Sequence, residues 1–416
     1  MHIKYYVHYN LDKEESYAIS LRQRNNALKR IFDMKNYDFS TESRNAVDPI
    51  NRLTWHYENP EAEARAASGS IPVVGITSST VPWELIRAAG AFPCVINTGK
   101  ANYPHIGAFM EEGVFEQRIR AIFGAAISGD LDYLSLLVIP RTSEQEYKLY
   151  LYLREVARQD SSRRIPPLYL YDLLHTRSPE SYSYGLERTL RLKERLENIS
   201  GIRTNDASFL DAIRESNSAR KCIRKLLSLR REKPRITGTD TLALIGASFF
   251  IRRDEYTYLA GQAAERIEGH TPIAGKKLMI VGSSLNHRGL HLALERHDTV
   301  VVAEDDWWGS RSAGKDIEEG SSDHLKAIFE KSYFDTPSPR VFPFEIADAW
   351  FQKESTNDIN GVVFYLPPDD CVVGWDYPRR CRFLDERKIP HLLVREDAGS
   401  VSEECHEQIE RFVKSI

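Results

Sequence analysis

Twice in this chain of 416 residues a short aliphatic run breaks off into glycine and hydroxyl residues, as IPVVGIT at 71–77 and as LMIVGSS at 278–284. A run that is almost continuously apolar, rather than apolar at every second residue, suits a strand buried on both faces. After the first run, Pro82 opens the helix-forming stretch WELIRAA, which Gly90 closes. Proline at a first helical position and glycine beyond the last suit the two ends of a short helix. Further strands are expected at Phe92–Ile96, Tyr133–Pro140 and Pro167–Tyr171, and in the second half at Thr299–Ala303, Ile359–Leu366 and Pro390–Val394. Helical patterns at Glu144–Gln159, His291–Arg296 and Glu404–Lys414 alternate with them. Such alternation implies parallel sheets covered by helices.

The two halves share one plan without an evident sequence repeat. The chain divides into an N-terminal helical region (1–65), a first α/β domain (66–204), a helical connector (205–272) and a second α/β domain (273–416). The fold class is therefore α/β, with two Rossmann-like or flavodoxin-like parallel-sheet domains. Glu14–Met34 has weak helical periodicity, and the small, polar Ala62–Ser70 is expected to be a hinge. The connector opens on Thr204-Asn-Asp, a helix cap, and sets Leu210, Ile213, Ile223, Leu226 and Leu227 along one side. Its basic end, Arg220 to Arg235, reads as a solvated face near a helix C-terminus, where positive charge suits the dipole, rather than as a phosphate patch. Gly269–Lys277 reads as a linker.

Composition narrows the function classes. A formal net charge of −4 argues against a general nucleic-acid binder, which carries a basic excess. The longest apolar stretches fall far short of the roughly 20 residues of a membrane-spanning helix. The N-terminal segment MHIKYYVHYNLDKEE contains charges and no signal-peptide core, so a cytoplasmic address is expected. Five cysteines, at 94, 222, 371, 381 and 405, form no CxxC pair. That sparse set reads as reduced thiols and not as a disulfide framework or a self-contained zinc or four-cysteine site.

In parallel α/β sheets ligands sit beyond the carboxyl ends of the strands. The informative loops are thus Thr77–Thr80, Arg141–Glu144, Ser283–Asn286, Glu304–Gly309 and Pro367–Gly374. None carries GxGxxG or GxxxxGK[ST], and no GxSxG elbow occurs, so nucleotide sites and serine hydrolase chemistry have no motif support. His287, His291 and His297 read as structural or solvent-facing. Two acidic pairs, Asp305/Asp306 and Asp369/Asp370, end strands. Either they hold a hard cation or act as acid and base, or they cap the helices that follow.

At these loops the chain resembles the 2-hydroxyacyl-CoA dehydratase D-component family, which includes benzoyl-CoA reductase subunits. The matching pieces run in order from about Ile71 to the C-terminus. GITSSTVPWELIRAAGAFP at 75–93 is similar to the family's "G…C…P-x-E-L-I-x-A-A-G-A-x-P", and VIPRTSE at 138–144 to its "I-P-x-T-C-D" loop. LKERLENISG at 192–201 looks like the helix after the first domain. VAEDDWWGSR at 302–311 resembles "V-x-x-D-D-x-C-x-G-x-R". GVVF at 361–364, leading to Cys371 and WDYP at 375–378, resembles "D-G-V-I-F…C-D-P…D-Y-P", and 389–397 and 407–412 follow the family's ending.

The departures fall on the ligands. The resemblance implies a [4Fe–4S] cluster held by one cysteine from each of three loops. The first position here is Ser78, the second is Ser143, and the third is either Cys371 or Asp370. Serine alkoxide is a hard ligand where clusters favour soft thiolates, so a conventional cluster is expected to be absent or atypically ligated, with Cys371 as the one thiolate available. Ser78, Ser143, Glu144, Asp370 and Cys371 are the candidate cleft residues. Glu84, at the start of its helix, is expected to orient a loop rather than react, and Asp305 and Asp306 are secondary candidates. The resemblance implies a subunit that pairs with a homologous cluster-bearing subunit, is served by an ATP-dependent activator protein, and takes an acyl-CoA or aryl-CoA ligand. The alternative is a non-redox binding protein whose polar cleft takes a small anion, a CoA ester or a metal.

Overall fold

A computed structural model describes residues 48–98, 103, 106–111, 113–174, 176–335, 344–370, 372–396 and 401–416. The helices expected within 14–34, and Cys371, lie outside the described residues. The order is α1 (Pro49–Glu58), α2 (Ala62–Ala67), β1 (Val73–Ile76), α3 (Trp83–Ala88), β2 (Phe92–Val95), α4 (Gln117–Ser128), β3 (Leu136–Pro140), α5 (Glu144–Gln159), β4 (Leu168–Tyr171) and α6 (Pro179–Ser200). Three connector helices follow: α7 (Asp206–Arg231), α8 (Gly238–Gly246) and α9 (Arg253–Glu268). The second half comprises β5 (Lys276–Gly282), α10 (Gly289–Glu295), β6 (Thr299–Asp305), α11 (His324–Phe334), α12 (Phe344–Ser355), β7 (Gly361–Tyr365), α13 (Tyr377–Glu386), β8 (His391–Val394) and α14 (Glu403–Ser415).

The strands form two four-stranded sheets, in the orders β2-β1-β3-β4 and β6-β5-β7-β8, and every pairing is parallel. The chain therefore winds outward from β1 to β2 and then crosses to β3, and it repeats that move from β5 to β6 and then to β7. Each sheet has its switch point, the natural ligand crevice, between the first strand and the third. Alternation along the second sheet builds a core on each face: Leu278, Ile280 and Val363 join one apolar cluster, and Met279, Val281, Val362 and Phe364 the other. Gly282 ends β5 with φ +136°, and a Cβ there would stand 2.0 Å from the Tyr365 carbonyl oxygen. Only glycine lets β5 leave the sheet at that point.

The largest apolar cluster joins the first sheet to the connector helices and reaches Trp307, Trp308 and Phe329 of the second half. The two tryptophans, at the end of β6, pack edge-on against Phe249 at 5.2 and 4.7 Å between ring centroids. Helix α7 opens with a reciprocal cap between Asn205 and Ser208. Its basic end differs from the solvated face expected. Arg230 is 1% exposed and ion-paired with equally buried Glu304, while Arg220 pairs with Glu84 and Arg231 with Glu354. These cations point inward because α7 lies between the two halves, each of which supplies carboxylates to it. Ala62–Ser70, expected as a hinge, contains α2 with Ala64 fully buried; alanines favour the helix once its face is covered. Among the described residues no helix is long and apolar enough to cross a membrane.

Candidate functional site

The crevices of the two sheets face each other, and the contact between them is polar. The backbone N–H of Gln117 at the start of α4 donates to the Asp369 carboxylate in the loop after β7, at 2.8 Å. Ser283, directly after β5, donates its hydroxyl to Asp370 at 2.5 Å. The carboxyl ends of β1, β3, β5 and β7 thus converge on one cleft.

Glu146 organises the first wall. It sits one turn into α5 and is 1% exposed. Its carboxylate accepts the hydroxyl of Thr77 from the β1 loop at 2.8 Å and that of Thr142 from the β3 loop. Arg118 approaches the same carboxylate at 3.6 Å and donates to the Thr77 carbonyl at 2.7 Å. A buried carboxylate left unpaired would be costly; three donors from three segments make it a clamp instead.

Glu116, two residues before Arg118 and half-buried, lies in the field of this clamp and of the opposite loop. Burial pushes its carboxyl up to about 7 against the pull of Arg118, with Glu146, Asp369 and Asp370 adding repulsion. It is therefore a group able to gain or lose a proton near neutrality, as a general acid or base must.

The residues singled out from the sequence divide. Ser78 is 1% exposed, and its hydroxyl has no hydrogen-bond partner among the described residues. Ser143 is the N-cap of α5, its oxygen accepting the Glu146 N–H at 3.2 Å. Asp370 shapes its own loop: besides Ser283 it accepts the N–H of Gly374 at 2.7 Å and of Val373 at 3.4 Å. These three belong to the cleft loops, through Thr77, Thr142 and Glu116. Glu144 points to solvent. Cys371 lies outside the described residues.

The secondary candidates sit elsewhere. Glu84 is held below the usual carboxylate range: burial opposes this, but Arg220, a backbone hydrogen bond and Arg253 together outweigh it. Asp305 is pinned between Arg380 and Arg311, each at 3.0 Å. Asp306 accepts the N–H of Leu285 at 3.0 Å and of Gly309 at 2.5 Å, and burial pushes it up to about 6. Both thus fasten the β6 loop. His291 is fully buried against Glu304 at 2.8 Å. Glu116, Arg118 and Glu146 are the cleft residues that no motif flagged. Ser143 followed by Glu146 does have the S-x-x-E spacing of a capping box. Only its first half forms here, because the glutamate turns to Thr77 and Thr142 instead.

The chain's likeness to known proteins extends over most of its length. A family model described as 2-hydroxyglutaryl-CoA dehydratase, D-component, matches residues 78–416. The chain belongs to that family. Among curated relatives, the beta subunit of (R)-2-hydroxyglutaryl-CoA dehydratase from Acidaminococcus fermentans is 22% identical, over 81% of this chain and 88% of that protein. The beta subunit of (R)-phenyllactyl-CoA dehydratase from Clostridium sporogenes is 23% identical, over 92% of this chain and all of that protein. The match takes in the loops that hold Ser78, Glu116, Ser143, Glu146 and Asp370, while β1 and Thr77 lie just before it.

Proposed function

We propose that this chain is the cluster-poor subunit of a 2-hydroxyacyl-CoA dehydratase-type complex and works beside a homologous subunit that bears the [4Fe–4S] cluster. The family and the two beta-subunit relatives support the subunit role. The reading that the cluster lies in the partner rests on the donor set. At two of the three positions the resemblance assigns to cysteine, the side chain is a serine hydroxyl. One of these, Ser143, already has its oxygen committed to a helix cap. At the third position Asp370 is committed to its own loop. Hard, engaged oxygens are poor substitutes for thiolates on iron, and Cys371 alone would supply one ligand.

In this proposal the chain's own contribution is a shaped, charged cleft. Glu116 takes up or releases a proton near neutral pH, in the field of the Arg118–Glu146 clamp. An acyl-CoA or aryl-CoA ligand would enter between the β1 and β3 loops on one side and the β5 and β7 loops on the other. Electrons would come through the partner, served by an ATP-dependent activator, and the complex would work in the cytoplasm. The observation that carries the reading is the oxygen donor set at these positions: Ser143 and Asp370 are already hydrogen-bonded, and Ser78 offers a buried hydroxyl in place of a thiolate.

The test is anoxic co-expression with a cysteine-complete homologue from the same source, followed by size-exclusion chromatography and assay of 2-hydroxyacyl-CoA dehydration. A stable heteromer with activity that neither chain shows alone is the expected result. Failure to associate would overturn the subunit reading in favour of a non-redox binding protein, which thermal shift of the isolated chain against acyl-CoAs would then detect.

A further inference from the structure

The β1 loop forms part of the wall of a cavity of about 70 Å³ that is framed by both halves of the molecule. That volume is several times the ~10–15 Å³ one water needs. Its charged lining is unequal: Arg220, Arg253, Arg311 and Lys331 face Glu84 and Asp335. Arg220 is matched by Glu84, Lys331 by Asp335 at 2.6 Å, and Arg311 by Asp305, which lies outside the lining.

Arg253 stands apart. It lies over the Trp83 ring at 4.3 Å and donates to the Ser248 carbonyl at 2.9 Å, with no carboxylate within ion-pair distance among the described residues. Among the described residues its Nε is buried without a hydrogen-bond partner, and so is Nη1 of Arg311. Two hydroxyls of the lining, Ser79 Oγ and Ser216 Oγ, are also buried with no partner among the described residues, and Ser216 is 2% exposed. Burial of donors without acceptors is costly, and native interiors avoid it unless something else occupies the space.

We infer that this cavity is a binding site for a compact oxyanion, of the phosphate or the short carboxylate type, held by Arg253 with Ser216, Ser79 and Arg311. An acceptor-only ligand of that size satisfies the unmatched donors together and neutralises the surplus cation. The electrostatics agree: burial and the nearby Arg220 hold Arg253 down to about 10 and lower Lys331, so an anion relieves a strain that the carboxylates present do not. Because the walls come from the β1 loop, α7, α9, the β6 loop and α11, the bound ion would tie the two halves together. None of Glu116, Arg118, Glu146 and Asp370 lines this cavity, so its ligand is independent of the proposed function.

The experiment uses the full chain alone, titrated calorimetrically with inorganic phosphate and, separately, with acetate, at constant ionic strength set with sodium chloride. Thermal unfolding is followed in parallel. Saturable binding of either ion, with a rise in Tm beyond that in chloride, is expected, and the ion that binds identifies the class. Arg253→Gln should weaken binding at least tenfold, and Ser216→Ala severalfold. Ser216→Ala only deletes a buried unpartnered hydroxyl, so it keeps the test alive if Arg253→Gln does not fold. Arg158→Gln, on the exposed face of α5, should bind as the parent does. A Tm that tracks ionic strength alone, or binding unchanged in the folded cavity variants, overturns the site.

Discussion

The backbone N–H of Gln117 and the carboxylate of Asp369, 252 positions apart in sequence, meet at 2.8 Å and bring an acidic loop of the second half against Glu116 of the first. This contact makes the titration of Glu116 depend on both halves of the chain. Asp369→Asn keeps an acceptor for the Gln117 N–H and removes one negative charge. It should move the Glu116 midpoint to lower pH in a carboxyl-carbon NMR titration. An unchanged midpoint would show that the two groups do not interact.

Glu116 also makes a stability prediction whose sign follows from its raised folded value. Below about 4.5 the carboxyl is protonated in both the folded and unfolded chains. From there to about 7 the folded chain still holds the proton that the unfolded chain has released. The group's contribution to stability is therefore lost as pH rises through that window and stays lost above it. Glu116→Gln should unfold at a Tm about 1–3 °C above the parent at pH 8, with the difference vanishing near pH 4.5. A variant less stable than the parent at pH 8 would contradict the assignment.

The buried pair that joins the connector to the second sheet should be costly to break. Arg230 meets Glu304 at 2.5 Å, and His291 shares the same carboxylate oxygen. Burial works against ionisation of Glu304, but Arg230 and His291 prevail and hold it at about 2. Arg230→Met leaves that buried charge with the histidine alone and should cost about 3–5 kcal/mol in urea unfolding. Arg230→Met combined with Glu304→Leu should recover much of the loss.

Ser143 separates a structural role from a ligand role. As the cap of α5 it should cost about 1 kcal/mol when replaced by alanine. Iron bound per chain, measured on the anoxically prepared protein, should be the same for Ser143→Ala and the parent. A fall in iron would make Ser143 a ligand.

Much of the architecture was legible from local pattern. Strands such as Val73–Ile76 and Gly361–Tyr365 are buried on every residue, so their aliphatic runs stand out, and Pro82 and Gly90 bracket α3. The cleft was legible only in outline. Loops at strand ends could be named, and the resemblance pointed to Ser78, Ser143 and the Asp370/Cys371 position. Glu116 escaped because nothing local distinguishes it: its raised proton affinity comes first from burial by the folded chain, and then from Glu146, Asp369 and Asp370, which only the fold brings near. The inward turn of Arg220 and Arg230 was hidden for the same reason, since a basic helix end looks alike whether water or a distant glutamate receives it. Asp305 and Asp306 show the converse, an acidic pair in a ligand-like position whose partners are the chain's own Arg380, Arg311 and backbone amides.

The claim that the family's cluster resides in a partner is tested most directly by iron and labile sulfide analysis of this chain after anoxic isolation from its complex and separation from the homologous subunit. Substoichiometric iron and no cluster absorbance are expected in this chain, and a full cluster in the partner. A full [4Fe–4S] complement in this chain would contradict it.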